Sequence, residues 1–183
     1  MNWSAVIAWA PLIVALAVAA VIDARQRRIP NWLTFGLLLA GVGRAAAFGS
    51  AGSLGHCGMG ILIGGGLPLI LYAISALGGG DVKLLAAIGA WVGGGPVVLI
   101  FMVEAVLGLG IVLTQAAVQR RTGALLRNSV VIAANFASVS EIGLRNAVDA
   151  SREHQAIRRP LPFAVPVFVA TLIVIFGTPF IGR

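Results

Sequence analysis

The 183-residue chain is 59% hydrophobic and only 10% charged, with a formal net charge of +7. Soluble domains carry roughly a quarter of their residues charged, so this composition excludes an ordinary soluble enzyme and puts the chain in the membrane class. With about 20 apolar residues needed per transmembrane helix, there is room for several spans and little soluble domain besides.

Six spans are expected, in chain order: roughly Ser4 to Ile22, Trp32 to Phe48, Leu54 to Leu77, Asp81 to Val92, Val97 to Ala117, and Phe163 to Ile181. The first has no basic residue ahead of its apolar run, so it reads as a retained span and not a cleaved signal peptide. The fourth is short for a bilayer at 1.5 Å per residue. The break "GGGP" at 93 to 96 is nevertheless a turn signal that separates it from the fifth. The expected fold is thus all-α: one polytopic membrane domain over residues 1–183, about six transmembrane helices, and a polar loop at 119–162 between the last two. That loop mixes apolar residues with scattered charges, the pattern of helices lying on a membrane surface.

Eleven of the thirteen Lys and Arg residues border the loops after spans 1, 3 and 5: Arg25, Arg27, Arg28, Lys83, Arg120, Arg121, Arg127, Arg145, Arg152, Arg158 and Arg159. Only Arg44 and Arg183 fall on the other side. By the positive-inside rule, those three loops face the cytoplasm and both termini lie outside it. Basic residues that flank spans, instead of lining one polar face, also argue against nucleic acid as a partner. The single cysteine, Cys57, rules out an internal disulfide or a Cys-based zinc cluster and reads as a small packing residue.

Six acids occur in all. Glu141, Asp149 and Glu153 belong to the polar loop, as does His154, and read as solvated. Asp23, Asp81 and Glu104 lie in or at the edge of spans, where charge is costly and a functional reading is the default. Asp23 ends span 1 in "DARQRRIPN", with Pro30 halting any helix through the turn. Alone, it fits an interface acid balancing its arginines as well as a catalytic one. Asp81 follows Gly78, Gly79 and Gly80, where the backbone is free to approach neighbours closely. It also fits a plain N-cap. Glu104 stands mid-span in "LIFMVEAVLGL", a candidate for substrate contact or for a structural acid. No Ser-His-Asp set, no H-E-x-x-H and no Cys-His pair competes. A hydrolase built on this chain would use two aspartates sharing one proton, with no metal and no cofactor.

"DARQRRIPN" and "GGGDVKL" together resemble the two aspartate motifs of the type IV prepilin leader peptidases, membrane aspartyl proteases of the GxGD kind. "LPFAVPVFVA" at 161 to 170 is similar to the way that family opens its last span. The resemblance implies Asp23 and Asp81 as the catalytic pair, with Pro30, Asn31, Gly78, Gly79, Gly80 and Lys83 as supporting motif residues. It implies removal of the basic leader of a single-span prepilin or pseudopilin at the cytoplasmic face of the bacterial inner membrane. Bifunctional members carry two CxxC pairs ahead of span 1 and also methylate the new N-terminus. No CxxC pair occurs here, so the chain resembles the short form associated with Flp-type (tight adherence) pili, and methyl transfer is not expected. Two other classes fit the composition: a small transporter or channel component, and a non-catalytic subunit of a secretion platform. The first predicts acids near mid-membrane and an internal repeat of the spans; in the second both aspartates are structural.

Overall fold

The computed structural model describes residues 3–49, 52–73, 77–118 and 163–177. The expected surface helices at 119–162 lie outside the described residues. Six helices appear among those described, in the expected order: α1 Trp3–Gln26, α2 Asn31–Phe48, α3 Ser53–Ala73, α4 Gly79–Val92, α5 Gly94–Val118 and α6 Ala164–Gly177. Three contain segments long and apolar enough to cross a membrane: Ala8–Gln26, Ser53–Ala73 and Gly94–Ile111. α2 has the length, but Asn31, Thr34, Arg44 and its glycines dilute its apolar character. α4 and α6 have 14 residues each, about 21 Å of helix against a hydrocarbon core of roughly 30 Å.

Two boundaries differ from expectation. α1 continues past Ile22 to Gln26, so Asp23 sits on the last helical turn and not in the loop. The "GGGP" break narrows to one residue: Gly93 adopts φ 83°, its N–H donates to Gly89 O (2.8 Å), and α5 starts at the next residue. Only glycine takes that conformation without strain.

α4 is the centre of the bundle. Leu84, Leu85, Ala87 and Ile88 are fully buried, and no large apolar side chain of α4 is exposed. The outer helices do the opposite: Val14, Leu39, Leu62, Val106 and Phe176 are among those that point outward from α1, α2, α3, α5 and α6. An apolar exterior around a packed interior suits a bilayer, and a helix enclosed by others need not match its thickness.

Close approach of α3 and α4 depends on missing side chains. A Cβ on Gly60 would collide with the carbonyl of Gly89, and one on Gly89 with the carbonyl of Gly60. Gly64, one turn along, would meet Leu85 O at 2.5 Å. This is the small-xxx-small packing that brings membrane helices into backbone contact. Tyr72 of α3 lies beside Gly79, so α3 and α4 run antiparallel. α2 runs parallel to α4, with Asn31 against Lys83 at one end and Leu37 against Trp91 further along.

Candidate active site

One end of the bundle gathers both aspartate motifs. On the first, α1 closes with Arg27 at φ 54°, its N–H donating to Asp23 O (2.7 Å). An arginine in that left-handed region costs about 1–2 kcal/mol, and such strain tends to collect at working sites. Residues 24 to 28 are exposed while Asp23 beside them is only 5% exposed. The turn therefore holds its arginines in solvent and one carboxylate inside. Pro30 then caps α2 in extended conformation (φ −70°, ψ 134°), a conformation open to its fixed ring geometry.

The second motif starts α4. Gly78 is the N-cap, and Asp81 is the third helical residue, not the cap itself. Its Oδ2 accepts the Gly78 N–H at 3.1 Å. This is the acid's half of a capping box, reaching back to the N-cap amide. The three glycines have distinct neighbours. A Cβ on Gly78 would come within 2.9 Å of the Asp81 carboxylate, whereas Gly79 faces the Tyr72 ring and Gly80 faces Ile29, each at an ordinary 3.4 Å. Gly78 is thus the one whose side chain would push on the acid.

Two contacts join the motifs. Lys83 Nζ donates to Asn31 Oδ1 at 3.0 Å, across 52 positions of sequence, and lies 5.7 Å from the Phe35 ring centroid. Gly80 packs on Ile29 of the α1–α2 turn. Asp81 and Asp23 lie within electrostatic reach of each other, and Glu104 within reach of Asp81. Glu104 sits ten residues along α5, about 15 Å from its start, and is only 4% exposed. Asp23 and Glu104 are buried at this end and Asp81 is half-buried; two carboxylates brought together in one site favour holding a proton between them.

Asp23 has a partner that no sequence pattern announced. Its Oδ2 accepts the backbone N–H of Ala164 at 2.8 Å, 141 positions away. Ala164 opens α6, where the first amides have no intrahelical acceptor. Pro166 two residues later is the local sign of a helix start, since its missing N–H costs nothing in the first turn. Which acid would cap that start was not readable. Each aspartate is thus oriented by a helix N-terminus, Asp23 by α6 and Asp81 by α4. Such ends favour negative charge, so these backbones offset part of the cost of placing carboxylates in an apolar bundle.

The sequence model of the type IV leader peptidase family matches residues 10–113, a stretch that holds both aspartate motifs and most of helices α1 to α5. Comparison with curated proteins and with solved structures finds no significant match.

Proposed function

Because the chain belongs to the type IV leader peptidase family, we propose that it is a membrane aspartyl endopeptidase whose catalytic pair is Asp23 and Asp81. The substrate is a single-span prepilin or pseudopilin, of Flp type, cut between its basic leader and its hydrophobic helix. The site faces the cytoplasm at the bacterial inner membrane, six helices span the bilayer, and both termini lie on the far side. What most supports the reading is the Lys83–Asn31 bond, which ties one motif to the other at the end of the bundle where both acids sit.

The chemistry needs only the pair and a water molecule. The ionised carboxylate takes a proton from water as the oxygen adds to the scissile carbonyl carbon. The protonated partner gives its proton to the carbonyl oxygen. The tetrahedral adduct then collapses: one of its hydroxyls returns a proton to the second carboxylate, the C–N bond breaks, and the amine leaves with the proton taken from water. The pair is left as it began. Glu104 is buried mid-helix in α5 and stands outside the catalytic pair, as a substrate-contact or structural acid.

The test is cleavage of a co-expressed cognate prepilin, with the new N-terminus located by mass spectrometry. The wild-type chain should cut ahead of the hydrophobic helix. Asp23→Asn and Asp81→Asn should each leave the precursor whole while the protein still inserts. Cleavage that persists in either variant removes that residue from the pair.

A further inference from the structure

A narrow cleft between α3 and α5 leads toward the acids from the outer surface of the bundle. Gly64, Leu67 and Pro68 of α3 form one wall, Val98 and Phe101 of α5 the other, and Leu85 of α4 the floor. Every lining residue is apolar. Leu67 is exposed and Leu85 fully buried, so the cleft runs from the outside of the bundle to its central helix.

Its floor and walls end beside the acids. Asp81 precedes Leu85 by one turn, on the same face of α4. Gly60 meets Gly89 and Gly64 meets Leu85; one turn further in that register, Pro68 is level with Asp81. Across the cleft, the buried Glu104 follows Phe101 by one turn of α5. The cleft is thus continuous with the candidate active site.

Two other sides of the acid end are tied by polar bonds. Lys83 joins α4 to Asn31 at the start of α2, and the Ala164 N–H joins α6 to Asp23 of α1. No hydrogen bond crosses the cleft among the described residues, and α3 meets α5 there through apolar contact. α3 is also weakest at this level. Gly64, Gly65, Gly66 and Pro68 are poor helix formers, and Pro68 lacks the N–H that would bond Gly64 O. Gly64 is needed for the contact with Leu85, but a Cβ on Gly66 would meet nothing. A helix interrupted in this way bends easily, and here it can lean from α5 without breaking a hydrogen bond between them.

We propose that the cleft receives the hydrophobic helix of the substrate, an assignment that rests on the peptidase reading. The cut falls just ahead of that helix, so the helix must lie deeper in the bundle than the acids while the scissile peptide reaches them. A helix seated over Leu85 has its leading end about 6 Å, four residues of rise, from the level of Asp81.

The test holds uncut precursor on the full-length Asp81→Asn chain in membranes. Photoreactive benzoylphenylalanine replaces Leu67 or Val98 in the cleft, or Leu39 or Ile173, which are exposed on α2 and α6. Adducts to the precursor should be several-fold stronger from positions 67 and 98 than from 39 and 173. Equal adducts from all four, none from the cleft, or cleft adducts only to a second copy of this chain overturn the docking. In the otherwise wild-type chain, Val98→Trp fills the cleft and should raise KM for the precursor about tenfold with kcat and melting little changed, as expected for lost substrate binding. Leu39→Trp should cut as wild type does. An unchanged KM in a folded Val98→Trp protein also overturns the docking. Cleft adducts with a chain that cuts nothing even as wild type would sustain the docking and count against the peptidase reading, so the two fail separately.

Discussion

The two ends of α4 are built from opposite materials. At its head, small residues surround an acid: Gly78 lies against the Asp81 carboxylate, Gly79 against Tyr72, and Gly80 against Ile29 of the turn that follows Asp23. At its tail, large rings hold a base: Trp91 donates its indole N–H to Leu37 O (2.9 Å), stacks on Arg44 and fills the space left by Gly41. The head holds Asp23 and Asp81 with one backbone N–H each; the tail locks its groups with several contacts. The first arrangement suits the proposed peptidase site, and the second suits an anchor for the bundle. Between them, the glycine crossing brings the backbones of α3 and α4 into contact.

That contrast can be broken at its middle. Gly60→Leu drives a side chain into the backbone of α4, and should cost about 3 kcal/mol or more, the upper range for overpacking, with both ends lost together. Thermal unfolding and recovery of folded protein measure it. A folded, active Gly60→Leu protein would show that the crossing is loose.

The ends should then separate under milder changes. Gly78→Ala pushes on the Asp81 carboxylate and should lower cleavage by about 10- to 100-fold, the scale of a displaced acid-base group, with little change in melting. Gly80→Ala meets only ordinary contact with Ile29 and should stay within a few-fold of wild type. At the tail, Trp91→Phe removes the indole N–H that Leu37 O accepts and should destabilise by about 0.5–1.5 kcal/mol while leaving the cleavage rate per folded molecule unchanged. The smallest effect is expected for Lys83→Gln. Its bond to Asn31 is solvent-exposed, and its loss should cost no more than about 1 kcal/mol, with a few-fold slower cleavage read from initial rates.

Much of the fold was readable because the signals are local. Apolar runs, the glycine-rich breaks and Pro30 place six helices in order, and the resemblance of the two motifs to the leader peptidases singles out Asp23, Asp81, Asn31 and Lys83 before any packing is known. What the sequence concealed depends on which helix meets which. These helices are apolar almost all round, so no polar face points to a neighbour. Hence α4 as the enclosed centre, Ala164 as the partner of Asp23, and the stacking of Arg44 by tryptophans 35 and 47 positions away emerge only in three dimensions. Asp81 as a third-position acid, and not an N-cap, was a matter of where one turn begins. Glycine at every nearby position left that start undetermined.

The central claim is that Asp23 and Asp81 work as one unit. Its most direct measurement is the initial rate of precursor cleavage by purified wild type, Asp23→Asn, Asp81→Asn and the double variant, all confirmed as folded. Two groups that share a single proton should fail together, each single variant falling as far as the double. Losses that multiply independently, or one single variant that still cuts at a wild-type rate, would contradict the account.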